Sequence, residues 1–112
     1  MISPRTSTVP ERGQVFPERF LLQGNYPNPF NGTTQVCFEI TSAAKVTLQI
    51  LDVAGRVVEH NLAPQLFTAG THRIGFSPDR QRASGIYYYR IRAQEVISGI
   101  VHMRYGKMIY LK

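Results

Sequence analysis

The chain has no tryptophan, one cysteine and about half as many acids as bases. It also has no long apolar run. Each shortage removes a class of function. Cys37 alone can form neither an internal disulfide nor a cysteine-based zinc site, so folding must rest on a packed core rather than covalent staples. With 7 Asp plus Glu, the paired carboxylates of a glycosidase are hard to assemble. Glu11 and Glu18 lie in the N-terminal stretch, Asp52 sits in a turn, and Glu39, Glu59 and Glu95 fall on outward positions or strand ends. His60, His72 and His102 match no metal-ligand spacing, and His72 shares a face with Ile74, as a satisfied or edge histidine would. There is no nucleophile elbow, P-loop, dinucleotide-binding or EF-hand pattern. No enzyme and no cofactor are expected. No apolar segment approaches the ~18 residues of a membrane-spanning helix. Residues 1–20 lack the apolar centre of a secretory leader, so if the protein is exported the leader is expected on a longer precursor.

What is present favours β structure. The 112 residues suffice for one domain, and 43% hydrophobic content is too much for a wholly disordered chain. Nine glycines, seven prolines and twelve Tyr plus Phe suit strands joined by many turns. Residues 1–19 carry Pro4, Pro10 and Pro17 without apolar periodicity and read as a flexible linker. The domain is expected over 20–112. Phe20–Leu22 is its first apolar cluster, a short edge strand. Tyr26-Pro27-Asn28-Pro29-Phe30-Asn31-Gly32 follows. Its two prolines forbid a helix and push Tyr26 and Asn28 towards extended geometry, and Asn31-Gly32 offers positive φ for a tight turn. Asn31-Gly32-Thr33 also matches a glycosylation sequon, but three residues match by chance often and the turn is the better reading.

Alternation then sets the strands. Val36, Phe38 and Ile40 share one face of Thr33–Ile40, and Val46, Leu48 and Ile50 share one face of Lys45–Leu51. Asp52-Val53-Ala54-Gly55 reads as a hairpin loop with Gly55 left-handed, returning through Arg56–His60. Residues 61–70 read as a loop, and Thr71–Phe76 as a strand with Ile74 and Phe76 inward. In Gly85–Gln94, Tyr87, Tyr89, Ile91 and Ala93 share the more apolar face, with Ile86, Tyr88, Arg90 and Arg92 opposite. A buried tyrosine near a strand start, its hydroxyl bonded to nearby backbone, is a known sandwich device. Val96–Met103 and Lys107–Leu111, separated by Gly106, read as the last two strands. Seven to eight short strands without a helix predict an antiparallel immunoglobulin-like β-sandwich.

Charge is concentrated late. Residues 80–112 hold Arg80, Arg82, Arg90, Arg92, Arg104, Lys107 and Lys112 against Glu95 alone, which accounts for the net charge of +6. That bias fits either an anionic partner or a solvated basic face. The interleaving of Tyr88 with Arg90 and Arg92 is too thin a stacking platform for RNA, and no nucleic acid is expected.

Together these segments resemble a known family. Leu22–Asn31 is similar to the opening motif of the type A C-terminal sorting domain of the type IX secretion system, and Asp52–Arg56 is similar to its central hairpin. Ala69–His72 resembles its turn, Ser84–Arg90 its penultimate motif, and Lys107–Lys112 its lysine-bearing final strand. Gly32 stands where the family often has another proline, and the segment from Tyr87 to Lys107 is longer than usual. The resemblance implies an immunoglobulin-like, non-catalytic module of a larger exported protein of Bacteroidetes and relatives. It implies recognition by the secretion machinery at the outer membrane, cleavage in the linker by a sortase-like protease, and attachment to anionic lipopolysaccharide. The cargo of such domains is often a hydrolase, including polysaccharide-degrading enzymes.

The expected function is therefore secretion across the outer membrane and cell-surface attachment, with the protein at the surface or outside the cell, as a monomer. Gly85, Lys107 and Lys112 are the expected recognition residues, read by a partner strand added to the terminal edge. Pro27, Asn28, Pro29, Phe30, Asp52, Gly55, Tyr87 and Tyr89 are expected to be structural. The alternatives are a carbohydrate-binding module using Tyr88, Arg90, Arg92 and Tyr105, or a spacer.

Overall fold

Seven strands appear where apolar residues alternate. In the computed structural model, which describes residues 19–112, they are β1 (Phe20–Tyr26), β2 (Thr34–Ile40), β3 (Ala44–Leu51), β4 (Val57–Phe67), β5 (Gly70–Phe76), β6 (Gly85–Glu95) and β7 (Val101–Tyr110). One antiparallel sheet has the order β1-β2-β5 and the other β4-β3-β6-β7, an all-β immunoglobulin-like sandwich. Apart from Arg19, the linker expected over residues 1–19 lies outside the described residues.

The inward faces are those the alternation marks. Val36, Phe38 and Ile40 of β2, Val46, Leu48 and Ile50 of β3, Ile74 and Phe76 of β5, and Tyr89, Ile91 and Ala93 of β6 are all buried. Phe20 and Met108 complete the layer from β1 and β7. Full burial of such a side chain contributes about 1.5–3 kcal/mol, so the facing sheets supply most of the stabilisation. Tyr87 is only half-buried, at the end of the inward row.

Three elements differ from the sequence expectation. β1 runs on from Leu22 to Tyr26, because a register shift at Gly24 keeps it paired with β2. Of the loop expected at 61–70, residues 61–67 are instead the second half of β4, 68–69 connect the strands and Gly70 opens β5. β4 lies at a sheet edge, where the missing N–H of Pro64 costs no ladder bond. Three register shifts against β3 absorb its extra residues. Finally, the two strands expected around Gly106 are the single strand β7, and residues 96–100 form the turn before it. Gly106 does not break the strand. It pairs with Tyr89, and a Cβ there would lie 2.1 Å from the Tyr89 ring, so the missing side chain is what lets the phenol pack.

Gly106→Ala is therefore expected to destabilise the fold by about 1–3 kcal/mol through overpacking. Urea unfolding measures this, and adding Tyr89→Leu should recover part of the loss. An alanine variant as stable as the parent would contradict the packing described.

Candidate functional site

Although the Ala69–His72 turn, at the start of β5, lies at the other end, most of the segments that bear a sequence motif reach the same end of the sandwich. The ends of β1, β3, β5 and β7 and the starts of β2, β4 and β6 meet there. At its centre the Pro27–Phe30 segment closes the open edge of β7. The Asn28 side chain acts like a peptide unit: its Nδ2 donates to the Lys107 carbonyl (3.1 Å) and its Oδ1 accepts from the Ile109 N–H (2.9 Å). Phe30 continues the pairing, donating to the Ile109 carbonyl (3.0 Å) and accepting from the Leu111 N–H (2.8 Å). Its buried ring packs against Phe76 and Tyr110. Both X–Pro bonds here are cis. The fully buried Thr34 donates from its hydroxyl to the Pro27 carbonyl (2.7 Å) and accepts from Asn25 (3.0 Å). Gly32 does not adopt the positive φ expected of it.

This arrangement corrects the picture of a bare terminal edge. From Lys107 to Leu111 the outward amide groups of β7 are already paired. A partner strand could join there only by displacing the segment.

Two further loops flank this centre. Asp52 Oδ1 accepts from the N–H groups of Ala54 and Arg56 (both 2.9 Å), and Arg56 Nε donates to Oδ2 (2.9 Å). These bonds, led by the Arg56 N–H, hold the Asp52 carboxyl below the usual carboxylate range. Gly55 closes the loop at φ +85°. Across a cleft of about 520 Å³ lies the 77–84 loop, with Gln81, Arg82 and Ala83 on the wall. Arg82 Nε faces Glu59 Oε2 at 3.6 Å, and its Nη2 donates to the Val58 carbonyl (3.4 Å). Tyr87 donates to the Ala83 carbonyl (2.6 Å), which is the expected tyrosine tether. Gly85 takes φ +152°, a backbone angle that disfavours any side chain.

Lys112 is tied into the same surface. Its N–H donates to Ser84 Oγ (2.7 Å) and its Nζ to the Arg80 carbonyl (2.6 Å). A second cleft of about 420 Å³, lined by Pro27, Pro29, Phe30, Asn31, Leu111 and Lys112, opens beside it. Gly85, Lys112, Pro27–Phe30, Asp52, Gly55 and Tyr87 are thus brought together. Arg80, Arg82 and Glu59 join them without any periodic signal in the sequence.

Tyr88 borders this end, opposite Leu51 and Lys107, and Arg90 and then Arg92 lie progressively farther from it. They line the outer face of the four-stranded sheet, where Tyr88 pairs with Lys107, Arg90 with Tyr105 and Arg92 with Met103. Gln49 Oε1 accepts from Arg90 Nε (2.8 Å), and Gln49 Nε2 contacts His60 Nδ1 (3.1 Å), so Arg90 belongs to an ordered polar row. Tyr89 is in the core.

The opposite end holds a cluster that sequence reasoning missed. Glu95 stands at a strand end as expected but is only 4% exposed. Arg19 grips both of its oxygens, Nε at 2.7 Å and Nη2 at 2.5 Å. Ser98 Oγ donates to Oε1 (2.6 Å), and His102 Nε2 lies 2.7 Å from Oε2. His102 also stacks on Phe20. The bonds from Arg19, then Ser98 and His102, hold the Glu95 carboxyl far below its ordinary value of 4.5, against the effect of burial. Carrying the Ile91 and Ala93 alternation two residues further is the signal that marks Glu95 as inward, which the outward or strand-end reading passed over; nothing local announced Arg19 as its partner. Among the described residues no group of three or more His, Cys, Asp or Glu could hold a metal ion.

Residues 25–100 match the family described as the secretion system C-terminal sorting domain. The match takes in the Pro27–Phe30 segment, the Asp52 hairpin and Gly85, and ends just before β7. No curated protein and no solved structure matches the chain.

Two measurements check this geometry. Asn28→Ala should lower the unfolding free energy by about 1–3 kcal/mol, because it strips partners from two edge groups of β7. It should also speed proteolysis of the last strand, and unchanged urea melts would sink the clamp. Glu95 stabilises the fold fully above its unfolded pKa, and this is lost as pH falls towards the depressed folded value. The melting temperature should therefore drop below about pH 4.5, and less steeply in Glu95→Gln.

Proposed function

The chain belongs to the family of secretion system C-terminal sorting domains, and we propose that its motif-bearing end is the surface the type IX secretion machinery reads. As a member it is a non-catalytic secretion signal that directs an exported protein through the outer membrane. The observation that carries the proposal is convergence. Pro27–Phe30, the Asp52 hairpin, Gly85 and the final Lys107–Lys112 segment are far apart in sequence, yet are hydrogen bonded or packed side by side at one end. Lys107 and Lys112 supply exposed positive charge to that surface, and Gly85 fixes the angle at which the chain enters β6.

In this reading the machinery docks on the composite surface made by the clamp, the last strand and the 77–84 loop. It does not add a strand to a free edge. The cargo is a larger protein ahead of the domain, such as a hydrolase acting on polysaccharide. A sortase-like protease cuts before the domain, and the cargo is retained on the cell surface through anionic lipopolysaccharide. The domain acts as a monomer. Exposed Tyr88 and Tyr105 support a second reading, polysaccharide binding on the outer sheet face with Arg90 and Arg92.

A periplasmic reporter fused ahead of residues 1–112, in a host with the secretion system, tests the first reading. The intact fusion should leave the periplasm, and versions lacking Lys107–Lys112 or carrying Asn28→Ala should be retained. Retention of the intact fusion would overturn the reading. Retardation of the purified chain on insoluble xylan or cellulose, lost in Tyr88→Ala with Tyr105→Ala, would support the second.

A further inference from the structure

The end opposite the Pro27–Phe30 clamp carries a feature that the proposed sorting surface does not include. The β6–β7 turn places Ile97 at its tip, 95% exposed, with Val96 (54%), Ile100 (45%) and Val101 (43%) beside it. This is no slack loop. Val96 N–H donates to the Ala43 carbonyl (2.9 Å), Gly99 N–H to the Glu95 carbonyl (3.0 Å), and Glu95 N–H to the Ile100 carbonyl (2.9 Å). Ile100 N–H donates to Ser98 Oγ (3.1 Å). The turn is fixed by these bonds, and they hold a large aliphatic side chain out in water. An isolated exposed isoleucine is ordinary, but four adjacent apolar residues on a braced tip form a protruding patch.

The charge behind the tip has one sign. Lys45, paired with Gln94, stands in the first row of the outer sheet face, with Arg92 in the next and Arg90 and then Lys107 beyond. Side chains two residues apart on one face are separated by roughly 7 Å, so Lys45 and Arg92 lie within about one or two screening lengths of the tip. The paired positions of β3, β6 and β7 on that face include no carboxylate. Glu95, the one acid beside the turn, is buried and gripped by Arg19. Met103 and Tyr105 continue the exposed apolar stripe along β7.

We infer that this end is a docking surface for an anionic lipid membrane. The Val96–Val101 turn enters the boundary between headgroups and acyl chains, and Lys45, Arg92 and Arg90 meet the phosphates. An apolar tip backed by cations has the two attractions that peripheral membrane binding combines. A polysaccharide would leave Ile97 without a partner, and a second copy of the chain would bring like-charged faces together.

The inference is independent of sorting and is tested without the secretion system. The full chain is sedimented with phosphatidylcholine vesicles, alone or with about 30 mol% phosphatidylglycerol, in about 0.1 M salt. Binding is expected only to the anionic vesicles. Ile97→Asp should lower the partition coefficient about tenfold or more, and Lys45→Gln with Arg92→Gln should lower it and flatten its salt dependence. Ile97 is solvent-exposed, so the variants should keep the parental melting temperature, which is measured alongside. The inference is overturned if anionic vesicles at about 1 mM lipid leave the chain in the supernatant, or if Ile97→Asp binds like the parent. It is equally overturned if Ile97→Asp instead abolishes a dimer seen by ultracentrifugation.

Discussion

The structure depends on how the last strand is finished. β7 has no neighbouring strand on its outer side, and an open edge invites pairing with other chains. Asn28 and Phe30 complete it with a side-chain amide and a short parallel bridge. The same contact sets the exit of β1, seats Phe30 in the core and fixes the position of Lys107–Lys112. A residue early in the domain thus determines the geometry of its final segment. The terminal strand and the proline segment therefore form one site, although about eighty residues separate Asn28 from its partners.

The two ends of the sandwich are specialised differently. One gathers the Pro27–Phe30 clamp, the Asp52 hairpin, Gly85 and the final segment. The other holds the Glu95 ion cluster and the apolar turn. Glu95 is tolerable in its buried place because Arg19, Ser98 and His102 together supply the hydrogen bonds that water no longer gives. The Arg19 guanidinium also offsets the ionised carboxylate beside the turn, so the ion cluster shapes the local field as well as the fold.

Much of the fold was legible because a half-buried strand writes its burial into every second residue. Val36, Phe38 and Ile40, or Tyr89, Ile91 and Ala93, need no other information. The misreadings have one origin: glycine and proline punctuate a chain only when their neighbours demand regular pairing. Pro64 is harmless on an edge strand, and Gly106 makes room for Tyr89 from across the sheet. Neither context is local. The candidate site was partly legible, since Pro27–Phe30, Asp52–Gly55 and Gly85 declare themselves by backbone chemistry. Arg82, Glu59 and the Arg19–Glu95 pair did not, because long-range ion pairs leave no period in the sequence.

The opposed placement of Arg19 and Lys112 also has a mechanical meaning. The start of β1 and the end of β7 lie at opposite ends of the sandwich. Tension applied between these two points would run lengthwise along both strands. Their ladders to β2 and β6 would then be loaded in shear, with many hydrogen bonds sharing the force at once, instead of being peeled apart one by one. A domain pulled between these two points has its terminal strands laid out to bear that load.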